Sequence, residues 1–224
     1  MPNLELKKFT YGVRFKHAFR LNDISGEIID KILYKSSYFS PKEFANVSRD
    51  GNGFLLFNQA DLESHDVFRM VATDLIFTHT LLKDEKLESV IDQYTSVLKN
   101  FFAPEIIEKY DLITERLGIV YQSKMDSQMH KNVSGQFFTR TFDDSFEYRF
   151  SKQDVVPNSS INAKKSDYIS KLFSSSRLKD NNHMFSYDYQ HFFVPNQAYI
   201  SDKVERIIKD SYSAYKRDIV DIEV

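Results

Sequence analysis

Two aspartates interrupt runs that are otherwise apolar, Asp74 in VATDLIF and Asp188 in FSYDYQH. A carboxylate in such a run has to be hydrogen-bonded, paired with a cation or left on an open sheet face, because an unpartnered buried charge is too costly to keep. Brought together, the two are suited to share a proton or to hold a basic ligand. Arg14 and Arg116, each on a strand candidate, complete a candidate ligand-binding set with Asp74 and Asp188. The plainer reading, in which each carboxylate faces the open side of a sheet or accepts loop amides, weighs more at this point, and the spacing defines no mechanism.

A second set is basic. Lys16, Arg20, Arg149 and Lys171 form a candidate nucleic-acid-binding set, which Lys7, Lys8 and Arg69 extend across a sheet. Basic and aromatic residues on an open sheet bind single-stranded RNA by phosphate contact and stacking. No Lys/Arg-Gly-aromatic run accompanies them here. The six histidines include no HExxH and no i, i+4 pair, and the chain has no cysteine, so neither a metal set nor a thiolate nucleophile is expected. His183 and His191 share a strand face by parity but lie about 26 Å apart at about 3.3 Å per residue, which reads as strand-end histidines facing water. The serines of KLFSSSRLKD have no placed base, and GxSxG, P-loop and GxGxxG patterns are absent. No catalytic residue, metal or cofactor is called for, and the chain leans away from enzymes.

The chain of 224 residues carries 30 Lys+Arg against 32 Asp+Glu, a formal net charge of −2. Such a field neither recruits nor repels nucleic acid as a whole. The length is enough to bury a core without disulfides, and 20 Phe with 13 Tyr and no Trp favour strands. No window approaches the roughly 18 apolar residues of a membrane span, and MPNLELKKFTYGV lacks the apolar centre of a signal peptide. A cytoplasmic protein without membrane contact is expected.

Those candidate residues need strands to carry them. Phe9, Tyr11, Val13 and Phe15 alternate with Thr10, Gly12, Arg14 and Lys16, the period of a half-buried strand over Phe9–His17. Ser25 can cap a helix bearing Ile28, Ile29, Ile32 and Leu33, followed by a loop over Ser36–Asn52 that ends in the Asp50-Gly51-Asn52-Gly53 turn signal. Phe54–Phe57 and Val67–Phe77 read as two strands, and Leu87, Val90, Ile91, Tyr94, Val97 and Leu98 as one helix face, which Pro104 then breaks. Leu112–Lys124 alternates as a second copy of the first strand, with Gly118 on Gly12 and Tyr121 on Phe15. A weaker helix over Met125–Gly135, strands at Phe146–Phe150, Tyr168–Ser176 and Met184–Phe193, a polar loop over Ser151–Lys165 and a helix from Asp202 to Ile219 follow. Asp74 and Asp188 match in this alignment. The expectation is an α+β fold of two pseudo-duplicated β-α-β-β-α halves, residues 1–110 and 111–224, tandem ferredoxin-like or related, with an antiparallel sheet and helices on one face. Gly12 and Gly118 are expected to mark a bulge or a close backbone approach.

The strand ITERLGIVYQSK and the FSYDYQHFF strand before a long amphipathic helix resemble a sporadically distributed, functionally uncharacterised prokaryotic protein family of similar length. The family pattern falls on Arg116, Leu117, Gly118, Ile119, Val120 and Tyr121, then on Tyr187, Asp188 and Tyr189. Val120 stands where the family usually has Arg, and Gln122 where it has Asn. The resemblance implies no activity, and by analogy it points to mobile or defence-associated genes.

The function expected from these readings is that of a non-enzymatic interaction protein with a protein partner, an accessory component of a prokaryotic defence or mobile-element system. The alternatives are a tandem ferredoxin-like RNA-binding or RNA-processing module, and a sensor that binds a nucleotide or other small ligand between the halves.

Overall fold

The computed structural model describes residues 4–16, 23–31, 46–50, 53–57, 67–71, 73–81, 85–139, 146–156, 167–198 and 201–220. The described residues form nine strands, the longest of them with alternating apolar residues: β1 (Leu4–Lys16), β2 (Asn46–Asp50), β3 (Gly53–Phe57), β4 (Val67–Val71), β5 (Asp74–Thr80), β6 (Ile113–Met125), β7 (Tyr148–Val155), β8 (Tyr168–Arg177) and β9 (His183–Ala198). They pair antiparallel in one sheet of order β2-β3-β4-β5-β1-β6-β9-β8-β7. The helices are α1 (Ser25–Asp30), α2 (Leu87–Val97), α3 (Ser127–Phe137) and α4 (Ser201–Tyr215). None of the described helices is long and apolar enough to cross a membrane.

The fold is therefore α+β, and each β-α run returns through an antiparallel meander whose last strand pairs with its first. That strand order is not a simple ferredoxin-like repeat. The path differs from β-α-β-β-α because strands were hidden in two places. Asn46–Asp50, expected as loop, pairs with Gly53–Phe57 as a hairpin. VFRMVATDLIF is two strands, β4 and β5, whose Val71 and Asp74 face each other across the turn; no glycine or proline announces that reversal. In the second run β7 continues through Ser151–Val155, which pairs with Tyr168–Leu172 despite its polarity. An edge strand of a sheet needs only one apolar face, so polar residues do not exclude it.

Period two divides each strand between the sheet's two faces. Phe9, Tyr11, Val13 and Phe15 of β1, Leu117, Ile119 and Tyr121 of β6, and Phe185, Tyr187 and Tyr189 of β9 are all buried under helices. Tyr121 stacks on Tyr215 of α4 with centroids 4.5 Å apart. Two reciprocal hydrogen bonds seat that helix on β6, Tyr121 to Ser211 and Ser123 to Tyr215, each 2.8 Å. Phe77 meets Phe102, and Phe137 of α3 meets Phe173, on the same face. Helices thus cover one face only, among the described residues.

Two helix details depart from expectation. Ser25 is the first residue of α1 and buried; Ile24 holds the cap position, with no side-chain cap bond. Asp126 does cap α3, accepting from Met129 N at 2.7 Å. Pro104 does not stop the helix after α2: the chain continues over Leu98–Glu108 in wider π-type turns that contain Pro104. Winding of that width absorbs a residue without an N–H, which a regular α-helix interior does not tolerate. Asp111, with φ of 51°, then ends the segment and turns it into β6.

Candidate functional site

The face opposite the helices carries Arg14, Gly12 and Thr10 from β1, Arg116, Gly118 and Val120 from β6, and Phe192, Gln190 and Asp188 from β9. Register places them side by side. Arg14 lies opposite Asp74 on one side and Arg116 on the other, while Gly12 faces Gly118, Gly118 faces Gln190 and Val120 faces Asp188. Two guanidinium groups directly across a strand pair repel, and Asp74 stands beside both. Arg14 Nε donates to Asp74 Oδ1 at 2.8 Å, and Arg116 Nη2 is 4.0 Å from the same oxygen. Thr73 Oγ1 donates to Asp74 Oδ2 at 2.9 Å.

The polar chain continues into β9. Arg116 Nη1 donates to Gln190 Oε1 at 3.0 Å, and Gln190 Nε2 donates to Asp188 Oδ2 at 2.7 Å. Arg116 also lies over the Phe192 ring at 5.7 Å, and Phe192 stacks on Tyr168 with centroids 4.6 Å apart. The hydrogen bond to Asp74 raises the Arg14 pKa. Burial, followed by the Arg14 charge, lowers that of Arg116. Burial pushes Asp188 up against the opposing Gln190 hydrogen bond and the charges of Arg116 and Arg149. Asp74 is 8% exposed, so this carboxylate is not a solvated surface group.

Gly12 and Gly118 leave the middle of this cluster without side chains. No described atom lies within 4 Å of where a Cβ would stand on Gly118, and Gly12 has only ordinary contacts, the nearer being Ile76 Cγ1 at 3.6 Å. The expected bulge is not at the glycines: register shifts fall between Leu6 and Lys8 and between Arg14 and Phe15. Nor does another backbone approach Gly118. The pair instead forms the floor of a shallow trough, walled by Arg14 and Arg116 on one side and by Thr10, Val120 and Asp188 on the other.

Of the ligand-binding candidates, Arg14 and Arg116 flank Asp74 directly and Asp188 joins them only through Gln190; the two aspartates themselves stand on β5 and β9 with β1 and β6 between them, so they do not form the pair that could share a proton. The nucleic-acid candidates separate. Lys16 is exposed at the end of β1, and Arg149 is exposed opposite Ser174 on the trough's face. Lys171 points the other way: it is buried under the end of the last helix, where its Nζ donates to Asp218 Oδ2 at 2.8 Å. Arg20 lies outside the described residues. Gln190, Phe192 and Tyr168 escaped the sequence reading, although Gln190 and Phe192 follow Asp188 at intervals of two, the parity that shares its face.

The histidines are not exposed strand ends. His183 is buried and stacks on His130 with centroids 3.7 Å apart. His191 Nε2 is 3.0 Å from buried Asp167 Oδ2, which also accepts from Lys203 Nζ at 2.9 Å, while Asp167 Oδ1 accepts from Val194 N at 2.9 Å. Burial pushes Asp167 up, but the Val194 N–H, His191 and Lys203 outweigh it, so its pKa lies below the usual value. This cluster ties β8, β9 and α4 together on the helix side. Among the described residues no group of three His, Asp or Glu is placed to hold a metal ion.

No family model, curated protein or solved structure matches the chain. The resemblance to the uncharacterised prokaryotic family gains no support from them, and the roles of Arg14, Arg116, Asp74, Asp188 and Gln190 rest on their geometry. Chemically the arrangement offers two arginine forks beside two carboxylates and an amide, a surface for recognising polar and charged groups.

Proposed function

We propose that the protein is a non-enzymatic interaction protein whose recognition surface is the uncovered sheet face at the junction of β1 and β6, and that its partner is a protein. The observation that carries this reading is the convergence of Arg14, Arg116, Asp74 and Asp188 on a face that no described helix covers. Half-buried charges held in place across four neighbouring strands are a preorganised polar surface, and polar pairs of this kind give a docking face its specificity.

The reading includes two related halves. It is supported by register: aligning Gly12 with Gly118 puts Asp74, opposite Arg14, in the place of Asp188, opposite Val120. Placement in the cytoplasm and in a defence or mobile-element setting belongs to the same proposal and draws only on sequence resemblance and composition. The RNA-binding alternative is favoured by the Arg116, Phe192 and Tyr168 ladder on an open antiparallel face. It is disfavoured by two carboxylates in the same patch and by Lys171 lying under the helices.

The test compares the wild type with Ser186→Trp, which sets an indole on the uncovered face next to Asp188, and Lys209→Trp, an exposed change on α4. A protein captured by the wild type and by the α4 variant but lost with Ser186→Trp is the expected result. RNA binding that strengthens as salt falls, or nucleotide turnover, with no protein lost on Ser186→Trp, overturns it.

A further inference from the structure

The trough lies between the arginines and Asp188, over the facing glycines Gly12 and Gly118. Its floor spans two strands, about 5 Å apart, and its walls stand four residues apart along β6, about 13 Å between Cα atoms. No described atom occupies the space above Gly118. Nothing obliges a central strand to have glycine at that position, since a strand interior is weakened by it, and close approach of a ligand is a common reason for keeping one. Two facing glycines therefore leave room that an incoming group can fill.

Charge narrows the occupant. Arg14 uses Nε toward Asp74 and Arg116 uses Nη1 toward Gln190, and a guanidinium has five N–H donors, so each retains donors for a further acceptor. Planar arginine forks match carboxylate geometry. Arg14 and Arg116 balance Asp74 and Asp188 in formal charge, so a phosphate's second charge would meet two carboxylates, whereas a single-charge carboxylate meets two guanidinium groups first.

We propose that the Gly12/Gly118 trough receives the side-chain carboxylate of an acidic segment of the partner protein, clasped by Arg14 and Arg116. This rests on the interaction reading above and specifies the chemistry of its contact. The working variants are Gly118→Val, which fills open space with a strand-favouring residue, and Arg116→Lys, which keeps the charge and removes the fork.

The experiment titrates a hexaglutamate peptide into 15N-labelled full-length protein and follows the arginine Nε–Hε resonances, with hexaglutamine and inorganic phosphate as controls. Saturable shifts of the Arg14 and Arg116 signals with hexaglutamate alone are expected, with binding weakened at least tenfold in Gly118→Val and in Arg116→Lys. Gly118→Val is expected to melt at or above the wild-type temperature, which separates lost binding from lost folding; if it does not fold, Arg116→Lys carries the test. No arginine shift with hexaglutamate, an equal shift with hexaglutamine, a stronger one with phosphate, or undiminished binding by both variants overturns the inference. A partner still lost on Ser186→Trp would then leave the interaction reading standing with a different contact chemistry.

Discussion

At the scale of single residues, the two strand aspartates meet different fates because their cross-strand neighbours differ. Asp74 faces Arg14 and accepts its hydrogen bond, whereas Asp188 faces Val120 and relies on the Gln190 amide. Asp74→Asn leaves Arg14 and Arg116 opposed without a carboxylate, and should cost about 2 to 3 kcal/mol in urea unfolding at pH 7, the scale of a lost charged hydrogen bond. Asp188 behaves the other way. Its folded pKa lies above the unfolded value, so the native state takes up the proton more readily, and stability is gained as pH falls through that folded pKa and is lower at neutral pH. Asp188→Asn should raise the urea midpoint at pH 7, with the gain shrinking toward pH 4; an unchanged midpoint at pH 7 would show that the carboxylate is fully compensated in place.

At the scale of elements, α4 is held to β6 by a reciprocal exchange: the strand's tyrosine bonds a helix serine, and the helix's tyrosine bonds a strand serine. Tyr215→Phe should cost about 1 to 3 kcal/mol, because the Ser123 hydroxyl is left buried without its partner. Adding Ser123→Ala should recover part of that loss, and the double-mutant cycle in urea reads the coupling. The Asp167 cluster ties β8, β9 and α4 in a pH-dependent way. The pKa of His191 is lowered, chiefly by burial, and that of Asp167 is lowered by its partners, so both contribute stability at neutral pH that is lost in acid. His191 acts first, as pH falls below its unfolded value of about 6.5, and Asp167 follows below about 4. His191→Gln should flatten the upper part of that acid limb in a plot of melting temperature against pH.

At the scale of the whole molecule, β1 and β6 join the first strand of the chain to one from its middle, pairing antiparallel from Leu4 with Met125 to Lys16 with Ile113. Separating them would expose two long apolar strand edges, which sheets do not leave unpaired without aggregation. The full chain is therefore expected to unfold in urea in one transition, coincident by circular dichroism and tyrosine fluorescence. Residues 1–111 expressed alone should self-associate, as size-exclusion chromatography would read. Two resolved transitions would show that the β1 to β6 pairing does not couple the halves.

Local patterning was enough to read the face assignment of β1 and β6 and the apolar stripe of α4, because period two and period 3.6 are properties of neighbouring residues. The β2/β3 hairpin, the division of VFRMVATDLIF and the polar end of β7 were not legible: β2 and the end of β7 are polar, so only their pairing with β3 and β8 makes them strands, and no glycine or proline marks the β4 to β5 reversal. The same limit governs the site. Sequence alone determined which carboxylates were anomalous and which arginines lay on strands of the right parity. Only the tertiary structure decided that Arg14 stands opposite Arg116, that Lys171 lies under the last helix and that Gly12 faces Gly118, because strand order and register arise from the packing of the whole sheet against its helices.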